Sequence, residues 1–128
     1  MTAEARLRIL IVDDNRHFLA AASNLLEQDG LSVVGTALTS AEALTVATEV
    51  RPDAILVDVD LGDESGVDLA QQLTAVIDGT PVVLISVYSE SELCDLVAAS
   101  PAVGFLSKAD LSARNISKLL RPVPDQPA

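Results

Sequence analysis

Asp13 with Asp14, Asp58, Ser86, and Ser107 with Lys108 each stand directly after a short apolar run: "LRILIV", "AILV", "PVVLI" and "AVGFL". If those run ends converge, they bring together three carboxylates, one hydroxyl and one ammonium. Three carboxylates held that close cannot all stay ionised without a cation. Oxygen ligands with room for water suit Mg²⁺, which is octahedral and usually held by one or two carboxylates. A lysine adds a second positive charge and a hydroxyl adds a hydrogen bond. The set would then cradle a phosphoryl group, and one carboxylate could attack phosphorus.

Each residue taken alone has a plainer role. Asp13, Asp14 and Asn15 could cap the helix that follows them. Ser86 could bond backbone at a strand end, and Lys108 could be a solvated loop lysine. It is the coincidence of four positions, each immediately after a strand-like run, that points to a site. His17 sits early in the first helix, with no second histidine and no suitable cysteine spacing, so it is assigned no metal role.

Convergence requires a parallel sheet. The β-type runs are 7–12, 31–37, 54–57, 81–85 and 102–106, recurring about every 24 residues with helix-type segments between. The first, third and fourth are continuously apolar, as strands buried on both faces are. Helical stripes follow: Phe18, Ala22, Leu25 and Leu26; Ala43, Leu44, Ala47 and Val50; Val67, Ala70, Leu73, Val76 and Ile77; Leu93, Leu96 and Val97; Leu111, Ile116, Leu119 and Leu120. Thr39 with Glu42 and Ser89 with Glu92 form capping-box patterns, Asp110 is the expected cap of the fifth helix, and Gly30 ends the first. In such an α/β sheet all strand C-termini share one edge, and ligands bind there where the strand order reverses. The second run ends in Ala37 and offers nothing charged.

The 128 residues fit one domain, and 49% apolar composition fills an aliphatic core with two Phe, one Tyr and no Trp. A net charge of −11 argues against binding nucleic acid through phosphates and against docking on anionic membranes. The single Cys94 excludes an intramolecular disulfide and a thiolate zinc site, and its apolar helical setting predicts burial. No apolar run is long enough to span a membrane and no signal-peptide pattern opens the chain, so the cytoplasm is the expected compartment. The tail 122–128 is proline-rich and reads as a disordered terminus or linker stub after a domain covering 1–121.

The pieces "ILIVDDN", "RPDAILVDVDLGDESG", "TPVVLIS" and "VGFLSK" stand in an order and spacing that resembles the receiver domain of two-component response regulators, from about Arg8 to Leu120. The resemblance implies a flavodoxin-like (βα)5 doubly wound sheet with strand order 2-1-3-4-5. It implies Asp58 as phosphoacceptor, and Mg²⁺ held by Asp13, Asp14, Asp58 and the backbone carbonyl of Asp60. Ser86 and Lys108 match the phosphoryl-binding hydroxyl and lysine. Phe105 matches an aromatic switch that turns inward when Ser86 is drawn toward the phosphate. The implied partner is a sensor histidine kinase. The implied output surface is the fourth helix, fifth strand and fifth helix, residues 90–121, with phosphorylation-promoted homodimerisation there. A stand-alone receiver is expected, since no DNA-binding segment follows.

This sequence departs from the family pattern at three positions. Gly62 replaces a usual proline, which predicts a more mobile loop. Val87 follows Ser86 where Ala or Gly is common, and its bulk is expected to modulate access to the phosphoryl group. Ala109 follows Lys108 where proline is common, which puts the usual cis peptide in doubt. Two alternatives stay open. "LVDVDLG" also resembles the Asp-x-Asp of haloacid-dehalogenase-type phosphatases, with Asp60 as general acid–base. A receiver-like interaction module that is never phosphorylated is the other. In "AILVDVDLGDESG", Asp63 and Glu64 are expected to face water.

Overall fold

The structure, a computed structural model, describes residues 6–120 except 78 and 89. The chain runs β1 (Arg8–Val12), α1 (Arg16–Gln28), β2 (Ser32–Ala37), α2 (Ser40–Val50), β3 (Ala54–Asp58), β4 (Asp60–Leu61), β5 (Glu64–Ser65), α3 (Gly66–Val76), β6 (Val82–Ser86), α4 (Glu90–Ala98), β7 (Gly104–Ser107) and α5 (Ala113–Leu120). Five strands form one sheet in the order β2-β1-β3-β6-β7, and every pairing is parallel. With the two-residue strands β4 and β5 set aside, this is the expected order 2-1-3-4-5.

The apolar runs form the middle of that sheet because both of its faces are covered. Leu10, Val12, Ile55, Val57 and Leu84 point to one side and pack with Ala43 and Ala47 of α2 and with Leu69, Ala70 and Leu73 of α3. Their sequence neighbours Ile9, Ile11, Leu56, Val83 and Ile85 point to the other, against Leu19, Ala22 and Leu26 of α1 and Ile116 of α5. The alternation follows from the period of two along a strand. Each fully buried Leu or Ile contributes on the order of 1.5–3 kcal/mol, so these central strands form a stiff platform under the loops at their C-terminal ends.

Several helix details differ from the sequence expectation. Leu25, Val76 and Leu96 are exposed, while Leu19 and Leu69 take the inward places. A stripe read at spacings of three and four tolerates a rotation of one residue, and only the packed partner fixes it. Cys94 is exposed on α4, not buried. Asn15 caps α1, accepting from the amides of His17 and Phe18, which frees Asp13 and Asp14 from that task. Thr39 caps α2 as expected, but the Glu42 carboxylate reaches past it to the Leu38 amide. Asp110 lies in a short 3₁₀ turn, and it is Ser112 Oγ that accepts from the Asn115 amide at the start of α5. The peptide bond between Lys108 and Ala109 is trans. The capping pair expected from Ser89 and the tail 122–128 lie outside the described residues. Among the described residues no helix is long and apolar enough to cross a membrane.

Candidate functional site

The strand order reverses between β1 and β3, and the ends of those strands stand side by side. Val12 pairs with Val57, so Asp13 leaves β1 next to Asp58, the last residue of β3. Asp58 lies opposite Ile85 of β6, Ser86 lies opposite Ser107 of β7, and Lys108 comes next. Parallel register alone thus gathers the expected residues on one edge.

Asp13, Asp58 and Ser86 are the buried polar or charged residues of the described chain; Asp58 is 6% exposed and Asp13 fully enclosed. Asp14 is exposed beside them. One carboxylate oxygen from each of Asp13, Asp14 and Asp58 lies within 4.8 Å of the others. Lys108 Nζ sits 2.6 Å from Asp13 Oδ2 and 3.3 Å from Asp58 Oδ2. It donates to Asp58 and pairs with Asp13, so this one ammonium is the counter-charge of the enclosed Asp13 Oδ2. Three carboxylates gathered around a single ammonium keep a net negative charge, and such a set of oxygen ligands fits a hard divalent cation.

Burial pushes the Asp58 carboxyl up from 3.8 to about 6, and the charge of Asp13 pushes the same way. Lys108 and the Asp60 amide oppose the rise without cancelling it. Burial works to lower Lys108, but the Asp13 carboxylate beside it and the charge of Asp58 outweigh that and leave it above its usual value. The lysine is therefore a fixed cation, and Asp58 is the carboxylate whose ionisation is most costly here.

The backbone holds Asp58 from below. Its Oδ1 accepts from the Asp60 amide at 3.2 Å. Gly66, the first residue of α3, lies so close that a Cβ there would fall 1.9 Å from the Asp58 carbonyl oxygen. Between them β4 and β5 form an antiparallel hairpin with Gly62 and Asp63 as its two-residue loop. Gly62 has φ +73°, the conformation such a turn requires at its first loop position. The loop expected to be mobile is therefore a defined hairpin, and proline, fixed near φ −65°, cannot serve in it. A Cβ at Gly62 would stand 3.1 Å from Asp14 Oδ2.

Other expected residues take distinct places. The Asp60 carboxylate is exposed and accepts from the Gly62 amide, apart from the acidic group. Ser86 Oγ accepts from the Tyr88 amide at 3.1 Å. Phe105 is already turned inward, 6% exposed and packed in the core on the α2–α3 side. Val87, next to Ser86 in the chain, is 71% exposed. His17 is exposed. Glu64 does not merely face water: its Oε1 accepts from the Ser40 amide at 2.8 Å and ties the hairpin to α2. One contact had no sequence signal. Lys108 Nζ lies 4.2 Å from the centre of the Phe18 ring. The arrangement can hold a cation against two or three carboxylates and present a hydroxyl and an ammonium to an anion bound there.

Comparison with known proteins agrees with this geometry. Residues 9–121 match the family described as response regulator receiver domain. The transcriptional regulatory protein PrrA of Mycobacterium leprae is 39% identical over 95 residues, 74% of this chain and 40% of that protein. Chemotaxis protein CheY4 of Vibrio cholerae, 26% identical, superposes with a TM-score of 0.75 over 91% of this chain and 97% of its own. A response regulator of Burkholderia pseudomallei, solved with a phosphorylated aspartic acid, a calcium ion and citrate, is 25% identical, with a TM-score of 0.76 over 89% of this chain and 66% of its own. The chain spans about half or less of the length of the curated relatives it matches.

Proposed function

The chain belongs to the response regulator receiver family of two-component signal transduction, and on that premise we propose that it takes a phosphoryl group onto Asp58 from the phosphohistidine of a sensor kinase, in the cytoplasm. The observation that carries this reading is the buried Asp58 carboxylate, grouped with Asp13 and Asp14 and bonded to Lys108. The Burkholderia relative with its phosphorylated aspartate and bound divalent ion supports it.

Asp58 is mostly ionised at neutral pH, since its carboxyl titrates at about 6. Its oxygen attacks phosphorus in line. An O–P bond forms as the N–P bond of phosphohistidine breaks, and the electron pair returns to the imidazole, which takes a proton from solvent. The Asp60 amide and Lys108 each hold one Asp58 oxygen and so orient the carboxylate. Asp13, Asp14, Asp58 and the Asp60 carbonyl would hold Mg²⁺, which would supply charge neutralisation for the phosphoryl oxygens. Lys108 adds a second positive charge beside Asp58. The chain is an acceptor and not a turnover enzyme.

The added charge accepts from the Ser86 hydroxyl, which can donate while its oxygen accepts from the Tyr88 amide, and draws it toward the phosphoryl group. That shifts the loop after Ser86 and favours the inward Phe105, a conformer already held here. The output surface is α4, β7 and α5, where exposed Leu96 and Val103 suit homodimerisation. The phosphatase alternative has less support, because the Asp60 carboxylate bonds Gly62 and stays exposed.

The test is incubation with acetyl phosphate and Mg²⁺. An acid-stable, hydroxylamine-labile acyl phosphate should form and be absent from Asp58→Asn. No modification, or one that survives that substitution, would falsify the reading.

A further inference from the structure

Lys108 faces three groups in this site: the carboxylates of Asp13 and Asp58, and the ring of Phe18 at 4.2 Å. Its side chain is 15% exposed, so little water shares the ammonium. Phe18 is half-buried in the first turn of α1. The contacts close into a ring: Asp13 Oδ1 accepts from the Asn15 amide at 2.9 Å, Asn15 Oδ1 accepts from the Phe18 amide at 3.1 Å, the Phe18 ring faces Lys108 Nζ, and Lys108 returns to Asp13 Oδ2.

This closure has a physical consequence. A lysine has four flexible methylenes and loses rotamer freedom when its head is fixed. Two carboxylates attract the ammonium, at 2.6 and 3.3 Å, but a long stem can reach them in more than one rotamer. The aromatic face adds a third attraction to the cation through its quadrupole, and this attraction strengthens when water is excluded. The backbone that carries the half-buried ring is fixed, because its amide is tied to the cap that Asp13 positions.

Resting on the phosphoacceptor reading, we propose that Phe18 is a positioning residue of the site: its ring holds Lys108 where the ammonium meets an anion bound at Asp58. Phe18 touches neither that anion nor the metal. Loss of the ring frees the lysine and weakens anion binding. Cation binding does not suffer, because the lysine is no ligand and competes with a cation for Asp13.

The experiment measures two affinities on the full chain: Mg²⁺ alone by calorimetry, then fluoroberyllate, a phosphoryl analogue, at saturating Mg²⁺ by fluorine NMR. Phe18→Leu should weaken fluoroberyllate by about three- to thirtyfold, the range expected for one cation–π contact, while Mg²⁺ binds as tightly as before or more tightly. Phe18→Tyr, which keeps the ring, should restore fluoroberyllate binding. Equal loss of both ligands in Phe18→Leu, or failure of Phe18→Tyr to restore, would mean general damage to the fold and overturns the proposal. Unchanged fluoroberyllate affinity in Phe18→Leu overturns it too, and leaves the phosphoacceptor reading standing. Absence of fluoroberyllate binding in the wild-type chain overturns both.

Discussion

Replacing Asp58 by Asn should make the metal-free protein more stable at neutral pH. The Asp58 carboxyl titrates at about 6 in the fold against 3.8 for the ordinary group. The folded chain therefore holds this proton more tightly than the unfolded chain, and stability falls as pH rises from about 4 to about 6. Above that the loss is complete. A shift of about two units corresponds to about 3 kcal/mol at 1.36 kcal/mol per unit. Asn is neutral, of similar shape, and keeps an acceptor for the Asp60 amide. Urea unfolding in the presence of a chelator should give a gain of about 3 kcal/mol for Asp58→Asn at pH 7.5, a midpoint rise of roughly 1–3 M for an ordinary denaturant slope. The gain should fall below about 1 kcal/mol by pH 4, where the wild-type carboxyl is protonated in the fold. A gain that is flat across this range, or no gain at pH 7.5, would refute the reasoning, because the charge on Asp58 would then not be what the fold resists.

Three further outcomes are expected. Lys108→Met removes the ammonium that lowers Asp58, so the Asp58 carboxyl should titrate above its present value of about 6, read by carbon NMR of the side chain. Gly62→Ala should cost about 1–2 kcal/mol in thermal unfolding because of the positive φ, and should weaken Mg²⁺ binding by crowding Asp14 Oδ2; Gly62→Pro should do more of both. Val87→Ala should accept phosphoryl groups from acetyl phosphate faster than the wild type, since Val87 is exposed and directly follows Ser86; equal rates would remove that role.

The strands were legible because a strand covered on both faces must be apolar throughout, and such runs are hard to mistake; their order came only from the family resemblance. The acids after them were legible for the same reason: a charge directly behind a buried run is placed by the run. Helix rotation was less legible. Leu25, Val76 and Leu96 fit an apolar stripe but lie one helical step off the packed face. The β4–β5 hairpin left no periodicity, since two-residue strands are too short to show one, although Gly62-Asp63 carries a turn signal. Glu64 looked like a loop acid because its partner, the Ser40 amide, belongs to another unit of the fold. The Phe18–Lys108 contact joins the first helix to the end of the last strand, and no local pattern reports it.

Lys108 follows β7, an edge strand whose neighbour in the sheet is β6 alone. The acids it neutralises belong to β1 and β3, in the sheet's middle. The counter-charge is thus delivered from the rim, by the last strand in the chain to dock. Edge elements open at lower free energy than the centre. Were β7 and α5 to open, the carboxylates would face one another without their lysine, and a free divalent ion would bind that opened form more tightly. Slowed amide hydrogen exchange in β1 and β3, with exchange in β7 retained when Mg²⁺ is added, would be the signature of a cation that holds the middle of the sheet while its edge comes and goes.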